Sequence, residues 1–369
     1  FIILLIEILI ISLLFPTLNL VLDPSYLTRF KDLLPATFSG LSDLSYIYYV
    51  LGFLLFLYFL KTIVLLFIQI RIAKFATDIG RDTSKKVFNF YLKQNYLFYT
   101  NNNSSKIVRN SMNEASSVFG FIFHFNTFLI EFLVLVGIIC VLLFLQPIPT
   151  IILSIFILSL TFFYIRFNKK KVKEIGNNRI LNDGLRIKHI QHGINLIKEI
   201  KLYKKVEFFL NSFSIPNHKS FEALKILRII QALPRLLLEQ MVVIFIVLLV
   251  AILKTKGLSF VEIVPIAGLF AAAILRILPS SSRIITSFQV VMYNYVSVKH
   301  NYDELNTFET INEIKEFSSE KMKFKENIII KDLSFIYPGT NTKILENFNC
   351  EIKKNTVTAF VGKSGVGKS

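Results

Sequence analysis

Six long apolar runs decide what this chain is able to fold into. They fall at Phe1–Leu22, Leu44–Ile70, Phe119–Leu145, Ile148–Phe167, Leu236–Leu253 and Val261–Val291, each long enough as a helix to cross roughly 30 Å of hydrocarbon. Mean hydropathy is +0.56 with only 18% charged residues, too apolar for an ordinary soluble domain. Only the Gln146-Pro147 turn separates the third and fourth runs, whereas about fifty and about seventy residues follow the second and fourth. Stretches such as Val87–Leu97 and Gly193–Phe213 keep apolar residues at three- and four-residue spacing. The membrane helices are therefore expected to continue out of the bilayer into two long helical connections on one side.

Charge says which side. Arg71, Lys74, Arg81, Lys85, Lys86, Lys93, Lys106 and Arg109 fill the first long connection, and 15 further Lys and Arg run from Lys169 to Arg235 in the second. The opposite-side connections hold Arg29 and Lys31, then none, then Lys254 and Lys256. Basic residues stay on the cytoplasmic side, so both long connections are expected there. This asymmetry accounts for most of the formal net charge of +17 and removes the reason to invoke nucleic acid; no aromatic-basic interleaving for base stacking is evident either. Cys140 lies in an apolar run and Cys350 in a strand-like segment, an arrangement that suits a reducing compartment. His124, His189 and His192 have no second ligand at metal spacing. The chain starts at Phe1 and stops at Ser369 inside a motif, so both ends are expected to be cut.

Hydrophobicity falls after Val291. The expected organisation is a membrane domain over residues 1–298, a charged, helical-looking linker over 299–322, and the start of a soluble α/β domain over 323–369. Asn327–Tyr337 and Ile344–Ile352 read as strands, and Thr356–Val361 as a short strand running into glycines. Those glycines open Gly362-Lys363-Ser364-Gly365-Val366-Gly367-Lys368-Ser369, the full G-x-x-x-x-G-K-[ST] phosphate loop. Glycine permits the turns that aim successive N–H groups at phosphate oxygens, Lys368 would neutralise the β and γ phosphates of ATP, and the Ser369 hydroxyl would ligate Mg²⁺. A helix starting near Gly367 adds its positive end. Residues for hydrolysis would lie beyond Ser369, so this stretch alone is not expected to hydrolyse ATP.

Six spans with two long cytoplasmic connections, then a strand, an aromatic residue and this phosphate loop in one chain, resemble the exporter-type ATP-binding cassette (ABC) transporters over essentially the whole length. The resemblance implies a half-transporter in the bacterial inner membrane with its nucleotide domain in the cytoplasm. It also implies pairing with a second copy, and signature, Walker B, Q-loop and switch-histidine motifs beyond residue 369. Tyr337 in Leu333-Ser334-Phe335-Ile336-Tyr337-Pro338 matches the family's adenine-stacking aromatic. Short coupling helices would fall near Phe98–Lys106 and Asn182–Lys188. Asn355 replaces the glycine usual in the turn before the phosphate-loop strand, and Asn also tolerates a left-handed backbone. Within the family, Gly193–Leu202, Leu233–Glu239 and Arg276–Ser280 look like the branch of lipid-linked oligosaccharide flippases. A drug, lipid or peptide exporter shares the architecture, and a membrane-anchored ATP sensor without transport is the alternative from another class.

Ionisable residues at bilayer depth are costly and usually face a partner or a water-filled path. Lys61, Glu131 and Arg276 lie at comparable depth, and Arg283 follows Arg276 by two helical turns on nearly one face. Two readings stay open. The cations line a path for a pyrophosphate-linked headgroup, or Lys61 snorkels, Arg276 pairs with Glu131 between helices and Arg283 sits in the cytoplasmic extension. Arg235 and Glu239, spaced i,i+4, read as a structural pair.

Overall fold

The computed structural model describes residues 5, 6, 9, 10, 12, 13, 17, 43–94, 96–257, 260–309, 326–336 and 343–362. The chain divides into two units, Phe1–Ile311 and Asn312–Ser369. The first is helical: α1 Asp43–Leu92, α2 Tyr96–Asn101, α3 Ser104–Arg109, a π turn Asn110–Glu114, α4 Ala115–Leu145, α5 Pro147–Asn195, α6 Ile197–Leu202, α7 Val206–Thr255 and α8 Phe260–Glu309. Among the described residues five helical stretches are long and apolar enough to cross a membrane, and they contain the last five of the six apolar runs. The run Phe1–Leu22 lies mostly outside the described residues; Ile6 and Ile10 within it are buried against Leu57 of α1.

α1, α7 and α8 each have 50 residues and α5 has 49, so each is about 75 Å long at the α-helical rise. That is more than twice the hydrocarbon thickness, so the long connections are continuations of the membrane helices, as their apolar spacing predicts. The tight end is set by Gln146, the residue between α4 and α5, with Pro147 in the first turn of α5, where the missing N–H is not needed. The second coupling segment expected at Asn182–Lys188 is instead interior to α5. Helical spacing carries that helix on to Asn195, and the break comes at α6, which ends at Leu202 and is followed by left-handed Lys204 with φ of 54°. The first, Phe98–Lys106, does coincide with a break, where Asn103 caps α3 by accepting from the Ser105 N–H at 3.1 Å.

Side chains at three- and four-residue spacing close the bundle. Val134, Ile138 and Leu142 of α4 and Leu238, Val242, Phe245 and Leu249 of α7 meet Leu269, Phe270, Ala273 and Ile277 of α8, with the Phe245 and Phe270 rings 5.6 Å apart. A second core, nearer the far ends, joins Val172 and Ile175 of α5, Ala223, Leu227 and Ile230 of α7, and Tyr293 of α8. Gly176 is required for that approach, since a Cβ there would stand 3.0 Å from the Tyr293 carbonyl oxygen.

In the second unit β1, Asn327–Ile336, pairs antiparallel with β2, Lys343–Lys353. Register shifts near Leu333 go with left-handed Asp332 and Asn347, whose Asx side chains tolerate that backbone. Asn355 has φ of 62°, the left-handed turn foreseen for it. Thr356–Val361 differs from expectation: it has no ladder partner among the described residues, Val357 and Val361 are fully exposed, and a strand is defined by the neighbour it bonds. α8 runs to Glu309, so helix extends into the charged stretch after residue 298.

Candidate functional site

Two polar clusters interrupt the apolar bundle. The first lies at bilayer depth, where α4 faces α8. Glu131 is buried about 21 Å from the tight end of α4, and Arg276 and Arg283 stand about 24 and 35 Å along α8. The carboxylate takes Arg283 Nε on Oε1 at 2.8 Å, while Arg276 Nη2 lies 3.9 Å from Oε2. Ser280, between the two arginines, donates its hydroxyl to Oε2 at 2.7 Å. The Arg276–Glu131 pairing of one of the two sequence readings is present, and Arg283, which that reading set in the cytoplasmic extension, makes the closer contact. Two guanidinium groups thus meet this one carboxylate, and the Arg283 side chain is 47% exposed. Its fork presents more N–H groups than one carboxylate oxygen engages. Lys61 is on α1 with its ammonium 5.1 Å from the centre of the Tyr58 ring. Arg235 and Glu239 form the expected i,i+4 pair at 2.8 Å on an exposed face.

The second cluster was not foreseen. It surrounds the π turn between α3 and α4, well beyond the bilayer. Glu114, fully buried, holds Arg179 of α5 at 2.8 Å and faces Arg109 Nε at 3.8 Å. Arg179 also donates to the Ser297 hydroxyl of α8 at 2.7 Å and lies over the Tyr293 ring. Asn110, equally buried, accepts from Arg109 at 2.9 Å and donates to the Tyr91 hydroxyl of α1 at 2.7 Å and to Glu304 of α8. Lys106 pairs with Glu304 at 2.8 Å, and Arg109 reaches the Ile180 carbonyl of α5 at 3.1 Å. Burial first, then Glu304, pushes the Tyr91 phenol well above its usual range. Burial also lowers the His300 imidazole, against the pull of Glu304, so its neutral Nε2 suits the Arg109 donor 3.2 Å away. A π turn adds one residue to the helix, and here it turns both Asn110 and Glu114 inward. The signal in sequence was the recurrence of Arg109, Asn110, Glu114 and Ser117 near helical spacing just before an apolar run.

Of the phosphate loop only Gly362 is described; Tyr337 and Lys363, Ser364, Gly365, Val366, Gly367, Lys368 and Ser369 lie outside the described residues.

Residues 8–278 match the family of ABC transporter transmembrane regions. The fold is similar to that of a bacterial Atm1-family ABC exporter solved with ATP bound, with a TM-score of 0.64, 12% identity, and 94% of this chain and 60% of that one covered. In sequence the chain is 44% identical over 50 residues to the phosphate import ATP-binding protein PstB of Mycoplasma capricolum, spanning 14% of this chain and 19% of that protein. It is 51% identical over 45 residues to the ABC transporter BEA3 of Gibberella fujikuroi, 12% of this chain and 4% of that protein. The chain thus spans a small part of the length of these relatives.

Proposed function

The chain belongs to the ABC transporter family through its transmembrane region, and from that membership we propose that the whole protein is an ATP-driven exporter of an amphipathic, anionic, lipid-linked cargo. The observation that carries the cargo assignment is the Arg276–Glu131–Arg283 cluster, two guanidinium groups on one face of α8 meeting one carboxylate, with the Arg283 side chain 47% exposed. Phosphate oxygens match guanidinium forks, and low surrounding polarity strengthens the pairing. Lys61 adds a cation at comparable depth, and a lipid-linked oligosaccharide, with its pyrophosphate, fits that demand.

The energy source on this reading is ATP with Mg²⁺. Tyr337 would stack on adenine, the loop Gly362–Ser369 would hold the phosphates, and the Ser369 hydroxyl would meet the metal. The similarity to PstB, by its name an ATP-binding protein, supports this. ABC exporters function as dimers, and a second copy of this chain is the proposed partner. Residues 1–298 would form a six-span membrane domain, 299–322 a linker and 323–369 the start of the nucleotide domain, in a bacterial inner membrane with the long helical ends in the cytoplasm. Nucleotide shifts such a machine only through its differential affinity for the closed state.

The test is nucleotide-dependent translocation of a pyrophosphate-linked glycan by the full-length protein in liposomes. The triple variant Glu131→Gln/Arg276→Gln/Arg283→Gln removes all three charges of the cluster. It is expected to lose about tenfold or more of the flipping rate, the size of one charged hydrogen bond, while basal ATP hydrolysis persists. Unchanged flipping in the variant would remove the cluster from cargo recognition, and no flipping of the glycan by the wild type, with a drug, lipid or peptide moved instead, would assign the protein to that cargo. ATP binding with no movement of any cargo assigns it to a membrane-anchored sensor.

A further inference from the structure

The exposed side of α5 carries a pattern that cargo movement does not use. Phe162, Phe163, Arg166, Lys169, Lys170 and Lys173 fall within about 60° of one another's mean direction on the helix, taking 3.6 residues per turn. All six are exposed, Phe162 at 64% and Phe163 at 56%. The opposite side of the same helix, with Val172 and Ile175 buried against α7 and α8, is the packed one. The stripe therefore points out of the bundle.

Depth gives it chemistry. Counted from Pro147, at the tight end, Arg166 stands about 28 Å along α5 and Lys173 about 39 Å, against roughly 30 Å of hydrocarbon. The two phenylalanines are thus inside the apolar layer, Arg166 is at its edge, and the three lysines are at the level of lipid phosphates. Among the described residues none of these four cations makes an ion pair, with the neighbouring Glu174 included. A solvated face would suit Lys173 alone, but it does not account for an arginine set at the hydrocarbon edge beneath two outward rings. An amphiphile with acyl chains and a phosphate satisfies the whole stripe: chains along Phe162 and Phe163, phosphate in the fork of Arg166 and beside Lys169 and Lys170.

We propose that this stripe of α5 is a binding site for an anionic phospholipid of the leaflet on the side of the long helical extensions. It rests on the membrane-spanning arrangement and not on the identity of the cargo. The site is distinct from the Glu131 cluster, which lies between α4 and α8.

The test uses the full-length protein in nanodiscs containing equal amounts of phosphatidylglycerol and phosphatidylcholine, with retained lipid read by native mass spectrometry after release into detergent. The wild type is expected to retain phosphatidylglycerol preferentially. The variant Arg166→Gln/Lys170→Gln/Lys173→Gln, exposed substitutions that leave the core intact, is expected to lower that preference by about tenfold or more. Lys198→Gln/Lys201→Gln/Lys205→Gln removes the same charge far from the bilayer and is expected to leave it unchanged. Equal retention of the two lipids, an undiminished preference in the first variant, or the same loss in the second would overturn the proposal. Displacement of the lipid by soluble glycerol phosphate would also overturn it, by assigning the stripe to free phosphate.

Discussion

Glu114→Leu is expected to cost the helical bundle about 3–5 kcal/mol, whereas Arg235→Ala costs about 1 kcal/mol or less. Both substitutions break an ion pair 2.8 Å long. The difference is burial: the Glu114 side chain is fully enclosed and that of Arg179 is 14% exposed, while the Arg235 side chain is 71% exposed. Removing Glu114 takes the closest counter-charge from a largely buried guanidinium, and Arg179 then keeps the Ser297 and Ser117 hydroxyls, the Tyr293 face and Asp183 at 4.0 Å. Removing Arg235 returns Glu239 to solvent at little cost. A second substitution separates the pair's own worth from the penalty for breaking it. Glu114→Leu/Arg179→Met leaves neither charge buried and is expected to recover most of the loss, since apolar replacements of a buried pair are often neutral. Equilibrium unfolding in detergent reads all three proteins. Equal stability of Glu114→Leu and wild type would show that the π turn does not bury the carboxylate, and a double variant no better than the single one would show that Glu114 acts through some other group.

The contrast also explains what was legible in the sequence. Apolar length and three- to four-residue spacing carry the long helices because each span is a local property of consecutive residues. So is the left-handed turn at Asn355, which needs only a residue type that accepts that backbone. Glu131 was recognisable because a carboxylate inside an apolar run is conspicuous. Glu114 was not, because it precedes that run among Asn110, Ser111 and Asn113, and such a stretch looks like a water-facing surface. What makes it interior is Arg179, 65 positions away on another helix. Which of Arg276 and Arg283 lies closer to Glu131 is not legible for a related reason. Both are two helical turns apart on one face, and only the position of Glu131 relative to α8 decides which fork reaches it. Thr356–Val361 shows the limit for strands: composition states a preference, and pairing decides.

In the full-length protein Lys368→Ala is expected to weaken ATP binding by about 100-fold, corresponding to roughly 3 kcal/mol for a charge-assisted contact to phosphate. Asn355, left-handed, turns the chain out of β2, and Thr356–Val361 then leads to Gly362, the first glycine of the loop. Successive N–H groups in such a loop give a cradle, but they carry only partial charges, and the β and γ phosphates bring a formal charge that Lys368, the lysine of the G-K-[ST] end of the motif, would neutralise. Gly365→Ala acts differently: it leaves the charge and obstructs the turn, so it is expected to reduce affinity for adenosine triphosphate and diphosphate alike. Lys368→Ala should discriminate against the triphosphate, because it loses the γ contact as well. Measuring both nucleotides on both variants by equilibrium binding separates charge from shape. Equal affinities for wild type and Lys368→Ala would remove nucleotide from this loop, and with it the coupling of ATP to the helical bundle on which an export function depends.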